Sequence, residues 1–404
     1  MSKQICMIEI GSSKVIALVA YKGNNGLEIK GMGTCGYSCG YEYDHKRRCV
    51  TRVPDEKELT NAIRRACDQA EHDCDHRILS AYVAVNAPFL KVEVYRGERT
   101  ARGRNRTVVE EDDTLLGAIS LQSTDREGYV YIHSTAVCYY LDGLECLDLP
   151  IGSSIENTLA ADLSHVFLDK NMANLIDRCL SSIGIKRKDF VAVPLAEANY
   201  LIPNARAEEE AVLIDAGYRH IDVSFVRNEA VTDIEIIPVG GQIFASDVEI
   251  VMDIPPSNAE MIKKRFNFAT DYTGAKETIK NFDGSIKYVD MAMCSEVIRS
   301  RAEELSDIIL DILTRHGIDF DETDVYITGG GFMMENCIKS MAERMNIRVV
   351  QSFPPISRER LNTPNNISAF AAAAFVADLM YDDGEPEEYE EKPRRSIFDK
   401  LFKK

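Results

Sequence analysis

The sequence has no apolar stretch approaching the roughly 20 residues that a membrane-spanning helix needs. It has no basic excess either: its 404 residues carry a net charge of −18, the opposite of a nucleic-acid-binding footprint. The Walker pattern G-x-x-x-x-G-K-[ST] does not occur, so any phosphate site must be of another kind. Eleven cysteines show no regular disulfide framework, and no signal peptide precedes the first strand. Both features point to a reducing compartment. Cys35, Cys39, His45 and Cys49 lack the tight C-x₂-C of structural zinc sites, so no structural zinc is expected. A composition of 45% hydrophobic and 28% charged residues is that of an ordinary globular chain, long enough for two or more cores.

What the chain does carry is one hairpin signature, twice. Ile8-Glu9-Ile10-Gly11-Ser12-Ser13-Lys14-Val15 stands near the start, and Leu213-Ile214-Asp215-Ala216-Gly217-Tyr218-Arg219-His220-Ile221-Asp222 stands in mid-chain. Each reads as apolar strand, acid, spacer, glycine, short turn and second strand. A glycine at that point lets the backbone approach a bound group, and exposed turn amides hydrogen-bond anions. Two such turns facing each other across a cleft would grip a polyphosphate, with Glu9 and Asp215 holding Mg²⁺ through water. Two unrelated hairpins would give the same pattern, because acid-x-glycine is common at strand ends.

Periodicity organises the rest. Leu59, Ala62, Ile63, Ala66 and Ala70 mark one helical face after Pro54. Met172, Leu175, Ile176, Cys179, Leu180 and Ile183 mark another from about Lys170. Residues 81–160 break that rhythm, with strands at 81–85 and 129–133 and a short helix at 110–121, and read as an insert. Gly31, Gly33 and Gly36 match G-x-G-x-x-G formally, but no helix starts there, so they read as a loop. Arg96, Arg99, Arg102, Arg104 and Arg106 read as a basic loop of the insert. It lacks the aromatic set that stacks bases, so a solvated loop or an acidic protein contact is expected. Ser257 and Glu260 have capping-box spacing. Glu260 and Lys263, one turn apart, also suit the hydroxyls of a ribose. Gly329, Gly330 and Gly331, followed by Phe332, read either as a tight strand-to-helix turn or as a seat for a base or phosphate.

In this order the motifs resemble the actin-like ATPase superfamily and, within it, the bacterial cell-division family FtsA. The resemblance covers nearly the whole chain. The segment Ile8 to Val15 matches that family's first phosphate loop. Pro238-Val239-Gly240-Gly241, Ser246-Asp247-Val248 and the run from Pro255 to Lys263 match its second-half block. The run from Ile327 to Gly331 resembles its adenosine motif, and 362–374 its closing helix. The helix from Glu296 to Leu305, with Arg301, matches one that the family implicates in contact with FtsZ.

The resemblance implies an α/β, actin-like fold of two ribonuclease H-like halves with the family's inserted subdomain 1C. It places subdomain IA at 1–80 and 160–199, IC at 81–159, IIA at 200–245 and 316–380, and IIB at 246–315. The implied cofactors are ATP and Mg²⁺. ATP would be held by Gly11, Ser12, Ser13, Lys14, Asp215, Gly217, Tyr218, Gly240, Gly241, Glu260, Lys263, Gly329, Gly330, Gly331 and Phe332, and Mg²⁺ by Glu9 and Asp215. The superfamily's second phosphate loop is often Asp-x-Gly-Gly-Gly-Thr-Thr-Asp. Here Tyr218 and Arg219 would crowd a γ-phosphate, or Arg219 would contact it. With no general base in evident reach of a water, slow hydrolysis or none is expected, and no catalytic residue is assigned.

Residues 381–391 contain seven acids and no base, a composition that suits an extended, solvated linker. After it, 393–404 reverses the sign with Arg394, Arg395, Lys400, Lys403 and Lys404 against Asp399. As a helix this segment gathers Ile397, Phe398, Leu401 and Phe402 within an arc of about 140°. That describes a helix lying in an anionic membrane interface. The implied function is structural: an ATP-bound filament of this chain tethers FtsZ to the cytoplasmic face of the membrane at the septum and recruits later division proteins. The expected partners are FtsZ, other copies of the chain, anionic inner-leaflet lipid and those later proteins, with no nucleic acid. The rivals are a small-molecule kinase of the same superfamily, which has no use for such a tail, and a PilM-like pilus-assembly adaptor, which would lack the linker and tail. A chaperone would need a substrate domain after the ATPase core.

Overall fold

A computed structural model describes residues 4–23, 26–38, 40–44, 46–100, 107–109, 123–202, 210–351 and 364–381. The chain divides into two units, 1–211 with 224–234 and 368–404, and 212–223 with 235–367. The sequence opens as an antiparallel meander of β1 (Gln4–Ile10), β2 (Lys14–Gly23) and β3 (Gly26–Gly36). A small hairpin, β4 (Glu42–Asp44) and β5 (Cys49–Arg52), leads to helix α1 (Glu56–Cys74). Asp55 caps α1 by accepting from the Glu58 N–H at 2.9 Å, satisfying a donor that the helix itself leaves open. The face expected from the 3.6-residue period is the buried one: Leu59, Ala62, Ile63, Ala66 and Ala70.

The formal glycine fingerprint lies not in a loop but in β3, beneath α1. A Cβ on Gly33 would come within 1.8 Å of the Ala66 carbonyl oxygen, and one on Gly31 within 2.2 Å of that of Ala70. The two glycines are there because the helix backbone lies directly on the strand. The sequence pattern did not suggest a strand because glycines interrupt its alternation.

β6 (Ser80–Val85) lies parallel to β1 and to β13 (Lys186–Ala192), completing a sheet ordered β13-β6-β1-β2-β3. Residues 81–85 therefore belong to this sheet rather than to the insert. A parallel strand buried on both faces is nearly all apolar, which masks its place in this sheet. The inserted sheet runs β10-β9-β12-β7, built from β7 (Leu90–Thr100), β9 (Tyr129–Leu141), β10 (Leu144–Cys146) and β12 (Thr158–Asp169). Two-residue strands β8 (Thr107–Val108) and β11 (Ser154–Ile155) pair beside it. β12 continues past the expected boundary at 159, pairing with β7 from Thr158 opposite Thr100 to Leu168 opposite Leu90. Arg96 and Arg99 lie in β7 rather than in a loop. Arg96 grips Asp162 through two 2.7 Å hydrogen bonds and lies over the Tyr140 ring, with 3.9 Å to its centroid. Arg102, Arg104, Arg106 and the expected helix at 110–121 lie outside the described residues. Helix α2 (Lys170–Ser182), capped by Asp169, buries Met172, Leu175, Ile176, Cys179 and Leu180. Helix α3 (Val193–Leu201) follows β13.

The same order then recurs. β14 (Glu210–Ala216), β15 (Ile221–Arg227), β16 (Ala230–Ile237), β19 (Asp324–Thr328) and β20 (Val349–Gln351) form a sheet ordered β16-β15-β14-β19-β20. In each sheet the first strand is central, its hairpin partners lie to one side and two later strands to the other. This is the expected duplication. Between β16 and β19 come helices α4 (Gln242–Met252) and α5 (Pro256–Arg265), the hairpin β17 (Lys276–Lys280) and β18 (Ile286–Asp290), and helix α6 (Met291–Arg315). Helices α7 (Cys337–Met345) and α8 (Ile367–Tyr381) complete the described chain.

The expected capping box of α5 does not form. The helix starts at Pro256, with Pro255 as N-cap and no side-chain cap bond. A proline at the first helical position has a preset φ and lacks the N–H that would need a cap, so the helix starts one residue before Ser257. Glu260 is left to pair with Lys263 at 3.0 Å and with Lys264 at 3.5 Å.

Candidate nucleotide-binding turns

The two hairpin turns close in the same way. In the first, the Gly11 N–H donates to the Lys14 carbonyl at 2.9 Å; in the second, the Gly217 N–H donates to the His220 carbonyl at 3.0 Å. Each glycine sits one residue beyond a strand that carries a buried acid, Glu9 or Asp215.

Around the first turn, Glu9 is held by the Asn86 side-chain amide, 2.9 Å from its Oε1, and the same amide reaches the Ile10 carbonyl at 3.0 Å. A Cβ on Gly11 would lie 2.9 Å from the Lys14 carbonyl and 3.1 Å from Glu9 Oε1. Tyr37, the residue after β3, braces the turn, its hydroxyl donating to the Gly11 carbonyl at 2.8 Å and its N–H to the Ser13 carbonyl at 3.0 Å. Burial pushes the Lys14 ammonium below its ordinary pKa, and the Glu9 charge partly offsets this. Asn86 and Tyr37 were not foreseen. The only signal for Asn86 is a lone amide at the end of an apolar strand, just before Ala87-Pro88.

The second turn is clamped by two other backbone segments. Gly241 and Gln242 N–H groups donate to the Gly217 and Tyr218 carbonyls, both at 2.9 Å, and the Gly331 N–H donates to the Ala216 carbonyl. The glycines permit this approach. A Cβ on Gly240 would lie 2.5 Å from the Gly217 oxygen, one on Gly241 would lie 2.5 Å from the Gly331 Cα, and one on Gly331 would lie 2.5 Å from the Gly217 oxygen. Gly329 has φ +89, and a Cβ there would meet Asp215 Oδ1 at 2.1 Å. A Cβ on Gly330 would meet the Asn365 Cβ at 2.7 Å. The demand for glycine in these motifs is thus set first by backbone meeting backbone.

Beneath the turn, Asp215, His220 and Asp222 are all buried. Burial pushes the Asp215 carboxyl up to about 6. Asp222 is pushed well up by burial and then by the Asp215 charge. The His220 imidazole, pushed down to about 4 by burial, has its Nε2 3.6 Å from Asp222 Oδ1. Asp222 and His220 were legible only as part of a departing motif. Lys263, also buried, donates to the Gly241 carbonyl at 3.1 Å and to Glu260 at 3.0 Å. One site assignment needs correcting. The Phe332 ring is 1% exposed and packs edge-on against Phe244, with centroids 6.4 Å apart, so it is a core residue. Its apolar character made both readings possible in the sequence.

Arg301 lies on α6 and is engaged within the fold, reaching Asp247 on α4 at 2.6 and 3.2 Å and Glu304 one turn on. Ile397, Phe398, Lys400, Leu401, Phe402 and Lys403 lie outside the described residues, as do Cys39 and His45. Among the described residues, no helix is long and apolar enough to cross a membrane.

The chain is similar to several known proteins. The family model described as "Cell division protein FtsA" matches residues 212–373. The cell division protein FtsA of Pseudomonas aeruginosa is 26% identical over 362 residues, covering 87% of this chain and 83% of that protein. Its counterpart in Bacillus subtilis is 22% identical, covering 85% and 77%. Across most of its length the chain is similar to proteins of the FtsA family. Solved structures share its actin-like fold. The chain resembles one in the PilM–PilN type IV pilus biogenesis complex with a TM-score of 0.63 at 11% identity, covering 93% of this chain and 99% of the other. It resembles MreB5 of Spiroplasma citri bound to AMPPNP with a TM-score of 0.52 at 10% identity, covering 95% and 100%.

Proposed function

We propose that this chain binds ATP and, in that state, forms a filament that tethers FtsZ to the cytoplasmic face of the membrane at the septum, recruiting later division proteins. The observation that carries the nucleotide reading is the pair of identically closed turns, each following a buried acid. Amides of the turn residues between Gly11 and Lys14, and between Gly217 and His220, suit phosphate oxygens, and the Glu260–Lys263 pair suits a ribose. Mg²⁺ fits the same residues. Asp215 lies buried beside a second carboxylate, an arrangement whose charge a divalent cation would relieve. Asp215 would hold the ion through water, and the ion would supply charge neutralisation to the phosphates.

The role is one of holding nucleotide rather than turning it over, because His220 and Asp222 are buried against each other and leave no evident base for a water. The amphipathic, basic segment 393–404 supports the membrane part of the reading. Single copies should bind anionic bilayers weakly, and filaments strongly through avidity. FtsZ would meet the α6 face near Arg301, and the four-strand insert would be subdomain 1C.

The test is co-sedimentation of FtsZ with anionic liposomes in the presence of this protein, Mg²⁺ and ATP, alongside imaging in cells. FtsZ should pellet with the full chain and remain in solution when 393–404 is deleted, and a mid-cell band should become diffuse. Equal pelleting by the truncated chain would sink the tether.

A further inference from the structure

Tyr218 belongs to the second turn, yet its ring faces Lys263, which pairs with Glu260, rather than standing alone at the turn. Its backbone is fixed on two sides. The Gln242 N–H donates to its carbonyl at 2.9 Å, and Gly240 lies so close that a Cβ there would fall 2.6 Å from the Tyr218 carbonyl carbon. With the main chain pinned, the side chain has few directions to take. Its ring lies 5.9 Å from the Lys263 Nζ, within cation–π range. Lys263 is itself fixed by the Gly241 carbonyl and Glu260. The phenol feels Glu260 as well: after burial, the Glu260 charge raises its pKa, while Arg219 lowers it. The ring is 37% exposed, so a ligand can reach it.

We propose that Tyr218 is a nucleoside-contacting specificity residue, an aromatic wall that completes the ribose site of Glu260 and Lys263 although it belongs to the phosphate turn. The inference rests on the proposal that this unit binds a nucleotide. A tyrosine ring offers a large, rigid, amphipathic surface with few rotors to fix on binding. A ribonucleotide held by Glu260 and Lys263 would lie against that surface whether it carries two phosphates or three.

The test is calorimetric titration of the full chain with Mg²⁺–ATP and Mg²⁺–ADP, comparing wild type, Tyr218→Ala and Tyr218→Phe. Tyr218→Ala should weaken both nucleotides by the same factor, about five- to tenfold, and Tyr218→Phe should stay within about twofold because the ring carries the contact. The melting temperature of ligand-free Tyr218→Phe should match that of wild type, because the ring and its contact with Lys263 are kept. A loss confined to ATP would overturn the proposal by placing Tyr218 on the γ-phosphate. Unchanged affinity in Tyr218→Ala would overturn it as well. If wild type binds neither nucleotide, it is the proposed function that fails.

Discussion

The Arg301 guanidinium holds the Asp247 carboxylate through two hydrogen bonds, 2.6 and 3.2 Å long, and so joins α6 to α4. The first residue of α4, Gln242, is bonded to the second turn through the Tyr218 carbonyl. The helix whose outer face is proposed to meet FtsZ is thus tied, one helix removed, to the proposed nucleotide turn. Arg301→Lys keeps the charge but not the planar fork. Arg301→Lys and Asp247→Asn should each cost about 1–2 kcal/mol in urea unfolding, because the pair is charge-assisted but partly solvated. The double variant should cost less than the sum. FtsZ binding lost only in Arg301 variants would assign the contact to Arg301, whereas equal loss in Asp247→Asn would assign Arg301 to positioning the helix.

Gly33 is expected to tolerate no side chain. Its missing Cβ would overlap the Ala66 carbonyl oxygen at 1.8 Å, and backbone of an anchored helix cannot step aside. Gly33→Ala should therefore cost about 3 kcal/mol or more in urea unfolding. Gly36 at the end of the same strand is the control. Its Cβ would meet only the Ser13 carbonyl oxygen at 3.8 Å, so Gly36→Ala should fall within about 0.5 kcal/mol of wild type. Comparable losses in both variants would show that α1 does not rest on β3 as described.

His133, on β9, carries a pH dependence that can be read in advance. It is 1% exposed, neither ring nitrogen has a hydrogen-bond partner among the described residues, and burial pushes its pKa down to about 3. The unfolded chain takes up this proton near pH 6.5, the folded chain only near pH 3. Between those values the unfolded state binds more protons, so stability is full above about pH 6.5 and falls as pH falls, by up to about 1.4 kcal/mol per pH unit. The loss levels off below about pH 3. His133→Leu removes the titrating group and two unsatisfied polar nitrogens, so it should unfold with a shallower acid limb. Urea midpoints at about pH 7.5 and pH 5 check this, and parallel limbs in the two proteins would refute it.

How far the sequence went is clearest at the turns. Acid, spacer and glycine located both hairpins, and the 3.6-residue period located α1, α2 and their buried faces, because period and turn chemistry are local properties. What remained hidden depends on contacts distant in sequence. Gly31 and Gly33 looked like a loop, since the helix that requires them lies more than 30 residues later. Asn86 and Tyr37, which brace the first turn, carry no local signal. Residues 81–85 looked like part of the insert because a strand buried on both faces is largely apolar wherever it belongs. Phe332 could be read as ligand or core, and only its burial against Phe244 decides. The Arg96 side chain seemed free for a partner until Asp162 and Tyr140 were found beside it.

The Lys263 ammonium gives the most direct check on the nucleotide reading. It is 7% exposed and donates to Gly241 and Glu260, so Lys263→Met should strand a carbonyl and a carboxylate and cost about 1–3 kcal/mol. That loss alone says nothing about a ligand. The difference appears when nucleotide is added. A ligand that binds only the folded state stabilises it by about 2.7 kcal/mol at a hundred times its Kd, so Mg²⁺–ATP should raise the wild-type melting temperature by several degrees. In Lys263→Met the rise should disappear. Glu260→Gln, which keeps the shape but removes the charge, should retain part of it. If ATP stabilises Lys263→Met as much as wild type, the ribose lies elsewhere, and the Glu260–Lys263 pair serves only to fasten α5 to Gly241.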